Sequence, residues 1–327
     1  MKFKLADANL RRSAVTGRLA LYKKQVCLEM GARNQVRLWL LASIWGASFL
    51  FMRILVPVLG PVWTAQSRVT LAGLCLIIWM GLTNSKLEWG RHWRAYLFLG
   101  LFGTGLPAVL YSYAALTITS GYLAILNATS PLWGALIGAA VLNEQLTLRK
   151  LSGMALGIAG VAFLVRMGPV QFSQEVLIAV LCSLCAAVCY GISGAYSKKK
   201  TSALNSIQLA TGSQIGAALV LLPLLPLAPI RGDVTLWIFS VALALALFGS
   251  AVAYIIYFRL IAEIGPTRAL TVTFLIPLFA LLWGFVFLDE HISVMMLIGC
   301  VGVVAATWLV ALPGRVKTIS KNPASSI

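Results

Sequence analysis

Acidic residues are rare in this 327-residue sequence, and none of the nine lies in the middle of a long apolar segment. They fall in tails, in loops or at the ends of apolar runs: Asp7, Glu29, Glu88, Glu144, Glu175, Asp233, Glu263, Asp289 and Glu290. His92 and His291 have no group of further metal-ligand residues around them, and neither GxSxG nor HExxH occurs. We therefore expect no catalytic centre, no metal site and no cofactor, and an enzyme is disfavoured.

Cysteines form one pattern that looks like a metal site. Cys182, Cys185 and Cys189 are closely spaced, but no histidine or carboxylate lies near them in the sequence. Cysteine in an apolar run behaves as a small hydrophobic residue. We interpret the three as structural and expect no disulfide framework.

Aromatic and small polar residues, in contrast, recur inside the apolar segments. The ten that we select as candidates for binding a small-molecule substrate are Trp45, Ser48, Tyr111, Asn127, Ser130, Trp133, Tyr190, Ser193, Tyr257 and Thr273. A pocket lined by aromatic rings, hydroxyl groups and an amide suits an amphiphilic molecule. A structural role is the alternative, because Ser and Thr let membrane helices pack closely and Trp and Tyr favour the membrane interfaces.

Four charged residues near these candidates need separate interpretations. Arg68 lies deep in an apolar segment, where it fits a ligand of backbone carbonyls or a snorkelling side chain, a partner for a substrate carboxylate, or a latch between helix bundles. Arg53 lies within a turn of Pro57, so we expect it to snorkel to the outer membrane interface. Glu144 and Glu290 are expected to open helices and to complement their dipoles.

The elements that position these residues are ten apolar segments. Hydrophobic residues make up 60% of the sequence and charged residues only 11%, against about 25% charged in an average soluble protein. Each segment is long enough to cross a bilayer, and backbone groups in lipid must be satisfied within the segment, so we predict helices. We number them spans 1 to 10 and place them at 38–57, 61–82, 95–116, 120–142, 148–167, 174–196, 205–227, 234–258, 267–288 and 292–312. The predicted fold class is an all-α polytopic membrane protein of ten transmembrane helices.

Basic residues set the predicted orientation. The net charge is +17, yet no basic run is interleaved with exposed aromatic residues, so nucleic acid is set aside as a partner. With both termini in the cytoplasm, 22 of the 26 Lys and Arg residues fall on the cytoplasmic side, in keeping with the positive-inside rule. Residues 1–37 and 313–327 are then cytoplasmic tails, and we expect the first to be disordered and to lie on anionic lipid. It lacks the apolar core of a signal peptide, and a natural start at Met30 is an alternative.

The sequence also repeats itself. A shift of 146 residues aligns the chain from residue 103 onward with that from residue 249 without gaps, and a shift of 145 aligns the earlier part of the repeat. The paired positions include Trp45 and Tyr190, Ser48 and Ser193, Arg53 and Lys198, Tyr111 and Tyr257, Pro131 and Pro277, and Glu144 and Glu290. Each repeat, at 38–167 and 174–312, holds five spans, so the two must insert with opposite orientation. Inverted repeats of this kind are typical of alternating-access transporters.

Proline and glycine mark positions of predicted movement and close packing. Pro107, Pro131 and Pro277 lie inside spans, where proline removes a backbone hydrogen bond, and we predict that they act as hinges. Gly153 and Gly157 form a GxxxG face. Close packing between helices is one role for that face, and formation of a homo-oligomer is the other.

The surroundings of Pro131 and Pro277 resemble a known family. In both repeats an acidic residue follows the proline by thirteen positions. Together with Ile-Trp-Gly-Ala-Ser at 44–48 and with Arg68, this pattern resembles the EamA-type, ten-helix branch of the drug/metabolite transporter superfamily over residues 38–312. The resemblance implies two inverted five-helix bundles around a central cavity and export of amino acids or related metabolites from the bacterial cytoplasm. Bacterial exporters of aromatic and other neutral amino acids are the nearest match.

We therefore predict an exporter in the bacterial inner membrane that carries aromatic or other neutral amino acids and related metabolites by alternating access. The lack of carboxylates deep in the spans argues against proton antiport and favours uncoupled transport. An exporter of drugs or organic cations from the same superfamily is the alternative, whereas a passive channel and a membrane enzyme are disfavoured. The expected partners are the small-molecule substrate and membrane lipid.

Overall fold

The computed structural model describes residues 32–167, 173–201, 204–264, 269 and 271–311. These residues are helical over nearly their whole length and contain no β-strand. The prediction of an all-α polytopic membrane protein is confirmed. Most of the predicted first tail, the whole of the second tail and the predicted start of span 9 lie outside the described residues.

The ten predicted spans correspond to helices with the following bounds. Spans 1 and 2 form one helical run, Ala32–Leu82, that bends at Gly60. Spans 3 to 7 are Trp89–Ala114, Ser120–Leu142, Leu148–Met167, Gln174–Lys200 and Ser206–Leu227. Span 8 consists of Leu236–Ala246, Leu247–Val252 and Ala253–Ile264, and spans 9 and 10 are Val272–Leu288 and Val294–Ala311.

Large apolar side chains cover the outside of the bundle. Leu148, Ile158, Leu236, Trp237 and Val301 are each at least 65% exposed. Soluble monomers rarely expose contiguous apolar surface, so these side chains face lipid. Six helical stretches of the described chain are long and apolar enough to cross a membrane by length and composition, and Val272–Leu288 is a shorter apolar helix.

The turn between spans 1 and 2 depends on a glycine. Gly60 has a φ of 74°, a left-handed value that residues with a Cβ rarely adopt. The flanking Pro57 and Pro61 remove two helical N–H donors. The carbonyl of Val58 is satisfied instead by the N–H of Arg231, at 2.8 Å. The loop after span 7 therefore closes this turn.

Irregular backbone recurs at equivalent places in the two repeats. Span 3 contains a π-helical segment at Leu101–Gly105, and span 8 contains one at Leu247–Val252, 146 residues later. Spans 4 and 9 both end on a non-glycine residue with a left-handed φ, Asn143 at 53° and Asp289 at 51°. Single π-turns inside α-helices are frequent at functional sites. The internal repeat of the sequence is thus also a repeat of local structure.

Glycines bring the first span of each repeat against the fourth span of the other. A Cβ added at Gly46 in span 1 would lie 2.7 Å from Cβ of Phe279 in span 9. A Cβ added at the equivalent Gly191 in span 6 would lie 3.0 Å from the backbone nitrogen of Gly134 in span 4. The first distance is shorter than real Cβ atoms show, and the second is tighter than nearly all real Cβ contacts, so a side chain at either position would press on the other repeat. Spans 1, 4, 6 and 9 therefore meet around one centre.

The two predicted proline hinges in spans 4 and 9 differ in structure. Span 4 is interrupted: its first helix ends at Asn127, and its second begins at Ser130, directly before Pro131. Span 9, in contrast, runs as one helix through Pro277. Pro107 lies in the first turn of the helix that follows the π-segment of span 3. Their role as hinges stays a prediction.

Candidate functional site

A cavity of about 520 Å³ lies where the two repeats meet. Eight of the ten candidate residues line it: Trp45, Ser48, Tyr111, Asn127, Ser130, Tyr190, Tyr257 and Thr273. Arg68 and Pro131 also line it. Side chains that are far apart in the sequence are thus brought together as predicted, and their role in binding stays a prediction.

Trp133 and Ser193 do not border the cavity. The backbone of Trp133 packs against Gly191, with its carbonyl carbon 3.1 Å from the position of an added Cβ. The hydroxyl of Ser193 fills the space beside Gly103 of span 3. Ser193 therefore packs between spans 3 and 6, and the backbone of Trp133 lies against span 6.

Two aromatic pairs form a wall of the cavity. The rings of Trp45 and Tyr257 lie 5.3 Å apart, and those of Tyr111 and Tyr190 lie 6.3 Å apart with nearly parallel planes. Each pair combines one ring from each repeat, and the repeat shifts exchange the two pairs. The aromatic wall consequently has the symmetry of the fold.

Polar groups cluster at the interruption of span 4. The hydroxyl of Tyr111 donates to Oδ1 of Asn127 at 3.1 Å. The hydroxyl of Ser130 donates to the backbone carbonyl of Asn127 at 2.6 Å, which satisfies an acceptor that the broken helix leaves open. The amide of Asn127 is therefore fixed in position at the cavity wall.

Arg68 of span 2 lines the cavity and binds the π-segment of span 8. Its Nε donates to the hydroxyl of Ser250 at 3.1 Å, and Nη2 donates to the carbonyl of Gly249 at 3.4 Å. Among the described residues no carboxylate forms an ion pair with it. The carbonyl-binding role is therefore observed, and a positive charge also borders the cavity.

Several residues of the cavity wall are not among the ten candidates from the sequence. Tyr254, Phe49 and Met52 line it. Tyr254 precedes Tyr257 by three positions, so both lie on one helix face, and this spacing could have identified it. Phe49 and Met52 carry no signal that separates them from other apolar residues of span 1.

One end of the cavity reaches an exposed ion pair. Nζ of Lys198 lies 2.7 Å from the carboxylate of Glu144, and Lys150 lies 3.8 Å from it. The Lys198 side chain is 67% exposed and that of Glu144 is 34% exposed. The hydrogen bond from Lys198 lowers the pKa of Glu144 below its ordinary value, so this carboxylate is charged at neutral pH.

The prediction that Glu144 opens span 5 is wrong. Span 5 begins at Leu148, and the hydroxyl of Thr147 accepts the N–H of Lys150 at 3.3 Å. Glu144 follows Asn143, whose left-handed backbone ends span 4 and lets the N–H of Glu144 return to the carbonyl of Gly138 at 3.3 Å. The carboxylate is therefore directed back toward the cavity.

The opposite end carries an equivalent ion pair that is buried. Glu290, with a side chain only 10% exposed, accepts the N–H of Ser120 at 3.0 Å and its hydroxyl at 2.6 Å. Nε of Arg53 lies 3.5 Å from the same carboxylate, and its Nη1 donates to the carbonyl of Ala115 at 2.6 Å. Glu290 therefore caps span 4 and does not open span 10. Likewise, Arg53 points into the protein, and the prediction that it snorkels is wrong.

Apolar packing seals this second end. Phe49, Met52, Leu55, Ile118 and Tyr122 belong to one core cluster, and each is at most 6% exposed. The cavity thus continues to the Glu144–Lys198 pair and is closed toward the Arg53–Glu290 pair. Its two ends differ in access although their charged residues are equivalent.

Several proteins with related sequences are named as transporters. The pattern of the EamA-like transporter family matches the chain twice, at residues 36–166 and 177–312. The "Uncharacterized transporter YoaV" of Bacillus subtilis (strain 168) is 23% identical over 275 residues, which cover 81% of this chain and 93% of that protein. The "Probable terminal-alkyne amino-acid exporter" of Streptantibioticus cattleyicolor is 25% identical over 258 residues, covering 78% of this chain and 85% of that protein.

A solved crystal structure has a similar fold. It superimposes with a TM-score of 0.59 at 17% sequence identity, over 85% of this chain and 96% of the other. At this identity the likeness bears on the fold alone. The arrangement of helices around the cavity is therefore shared with at least one protein of known structure.

Proposed function

Since the chain belongs to the EamA-like transporter family, we propose that it exports aromatic or other neutral amino acids and related metabolites across the bacterial inner membrane. The observation that carries this proposal is the cavity between the repeats, in which Arg68 faces a wall of aromatic rings. A guanidinium suits a carboxylate, and an aromatic wall suits an apolar or aromatic side chain. The exporter of S. cattleyicolor supports an amino acid as the substrate class.

Charge balance supports binding of a carboxylate at Arg68. A charged side chain within the membrane is costly unless it is paired, and among the described residues Arg68 donates to two neutral oxygens, of Ser250 and Gly249. A substrate carboxylate would supply the counter-charge. The amide of Asn127, held by Tyr111, is placed to bind a second polar group of the same molecule.

The arrangement of acids supports transport without an ion gradient. The acidic residue among those that line the cavity is Glu144, at its open end, and it is paired with Lys198. Proton-coupled carriers use a carboxylate in the membrane to bind proton and substrate in turn. We therefore propose facilitated transport that follows the gradient of the amino acid.

Orientation follows from the distribution of basic residues. With the termini in the cytoplasm, the Glu144–Lys198 pair lies at the cytoplasmic side and the Arg53–Glu290 pair at the outer side. The cavity then opens to the cytoplasm, from which an exporter must take its substrate. Rocking of the two repeats would open the outer end in turn.

Reconstitution tests the proposal. Purified protein is reconstituted in liposomes that are loaded with unlabelled phenylalanine. Uptake of labelled phenylalanine, leucine and a quaternary ammonium compound is then measured with no ion gradient. We expect saturable uptake of the amino acids that is stimulated by phenylalanine on the opposite side. Failure to move any amino acid would overturn the substrate class, and a strict need for a proton or Na⁺ gradient would overturn uncoupled transport.

Export of organic cations is the second candidate function. The rings of Trp45, Tyr257, Tyr111 and Tyr190 could hold a quaternary cation by cation–π interaction. Arg68, in the same cavity, opposes a cation. Transport of the quaternary compound that is lost in Trp45→Ala but unchanged in Arg68→Ala would favour this function over amino-acid export.

A further inference from the structure

We propose that the Arg53–Glu290 pair with Ser120 is the outer gate of the cavity, and that the Lys198–Glu144 pair is its inverted counterpart at the inner end. The inference rests on the proposed alternating access. The buried pair is the closed gate and the exposed pair is the open one. Transport then requires that one pair loosens while the other becomes buried.

Symmetry assigns the same position to both pairs. The repeat shifts that align the two halves of the sequence take Arg53 to Lys198 and Glu144 to Glu290. Each pair joins the first span of one repeat to the residue after the end of the fourth span in the other repeat. An ion pair that crosses between the repeats in this way must stretch or close when they rock against each other.

The two pairs are in different states. The Glu290 side chain is 10% exposed and that of Arg53 is 28% exposed, against 34% for Glu144 and 67% for Lys198. Glu290 binds the first N–H and the hydroxyl of span 4 through Ser120, which joins that end of the cavity to a helix N-terminus. The carboxylate of Glu144 pairs, among the described residues, with Lys198 and Lys150. The charged pair that the repeat supplies twice is therefore closed at one end of the cavity and open at the other.

The sequence explains why the outer gate closes more firmly. The residue equivalent to Ser120 is Pro266, which lies outside the described residues. Proline has neither a backbone N–H nor a hydroxyl, so it offers Glu144 none of the donors that Ser120 offers Glu290. The buried carboxylate of Glu290 thus has a helix end to bind, and we infer that the resting protein favours the state with the outer end closed.

Breaking the outer pair should shift the protein toward an outward-open state. Removing one partner of a buried ion pair leaves an uncompensated charge, which is relieved when the gate opens to water. The equilibrium between the two states then shifts by the amount that the substitution changes their free-energy difference. Breaking the exposed inner pair should have no such effect at the outer end.

A reporter thiol at Met52 tests this inference. Met52 lines the cavity behind the outer gate and is 2% exposed. In protein whose native cysteines are replaced by alanine or serine, Met52→Cys is labelled by a membrane-impermeant maleimide in liposomes that hold the protein in one orientation, with its outer side facing the bath. We expect slow labelling with an intact gate, and labelling faster by about tenfold or more in Arg53→Gln and Glu290→Gln.

The charge swap and the inner pair are the controls. The double variant Arg53→Glu with Glu290→Arg should restore slow labelling, because it restores opposite charges. Glu144→Gln should leave labelling slow. Labelling that does not rise in the single variants, or that stays fast in the double variant, would contradict the gate. If one single variant does not fold, the other single variant is compared with the double variant.

Phenylalanine exchange in the same liposomes separates this inference from the proposed function. Exchange by the parent protein together with unchanged labelling in the gate variants would overturn the gate and leave the function intact. Faster labelling in the gate variants with no exchange of any amino acid would overturn the substrate class and leave the gate intact.

Discussion

The two repeats share a frame, which is the helix packing at Gly46 and Gly191 where spans 1, 4, 6 and 9 meet. They differ in what they contribute to the cavity. Close glycine contacts, π-segments, aromatic pairs and charged ends occur in both at equivalent positions. Arg68 and the interrupted helix with Asn127 and Ser130 occur in the first repeat, whereas span 7, the counterpart of span 2, contains no charged residue. The helix packing and the aromatic wall are therefore symmetric, whereas the charge and the amide that we propose bind the polar part of the substrate belong to the first repeat alone.

Substituting the close-contact glycine of either repeat should lower stability by a similar amount, and this should be the largest effect. Gly46→Val and Gly191→Val each place atoms against backbone of the opposite repeat, at 2.9 Å from the nitrogen of Ala280 and 3.0 Å from that of Gly134. We expect each to cost about 1–3 kcal/mol or more, because overpacking forces backbone to move. Thermal loss of monodisperse protein in detergent measures the cost. Gly81→Ala is the control, since an added Cβ there meets no atom within 4 Å; a large effect at one glycine alone would contradict the symmetric frame.

The site, in contrast, should be sensitive mainly in the first repeat. Arg68→Gln removes the charge that we assign to the substrate carboxylate, and a charge-assisted hydrogen bond is worth about 1.5–3 kcal/mol. We expect the KM for phenylalanine to rise by about tenfold to a hundredfold, with partial recovery in Arg68→Lys. Exchange rates over a range of phenylalanine concentrations measure it. Arg94→Gln, at an exposed arginine, is the matched control, and an unchanged KM in Arg68→Gln would leave Arg68 with the structural role alone.

A smaller effect should come from the interrupted helix. Tyr111→Phe removes only the hydroxyl that donates to Asn127. A neutral hydrogen bond contributes about 0.5–1.5 kcal/mol, so the KM should rise by about two- to tenfold. Asn127→Ala and the double variant complete a double-mutant cycle. Effects that simply add would show that the two side chains act independently, whereas coupling supports one polar unit at the break.

Much of the fold was accessible from the sequence because a bilayer limits the chain to apolar helices of nearly fixed length. The two repeat shifts then indicated which residues would meet between the repeats, and eight of the ten candidates line the cavity. What the sequence did not reveal is the direction of individual side chains. Glu144 and Glu290 look like helix openers because they precede apolar runs, but the left-handed residue before each turns the carboxylate back.

A tertiary partner explains the error at Arg53, and a local hydrogen bond explains how the two equivalent prolines differ. Arg53 lies close enough to the span end to snorkel, but the carbonyl of Ala115 and the carboxylate of Glu290 bind it inside the protein. Pro131 and Pro277 occupy equivalent positions, yet only the first adjoins an interruption among the described residues. Ser130 contributes a hydroxyl there that binds the carbonyl of Asn127, whereas the equivalent residue in span 9 is Ile276, which has no hydroxyl. The sequence repeat thus identifies the two prolines as equivalent but does not show that only one of them adjoins a helix break.

The smallest effect is expected where the sequence predicted a site residue and the structure does not place one. Trp133 lies outside the residues that line the cavity, so Trp133→Phe leaves the lining unchanged. We expect a KM for phenylalanine within about twofold of the parent, because substitutions away from a site usually shift free energies by no more than about 0.5 kcal/mol. The matched change Trp45→Phe, at a cavity ring paired with Tyr257, should raise the KM more. Equal effects would mean that distance from the cavity does not separate the two tryptophans, and the site would then extend along span 4 beyond Asn127 and Ser130.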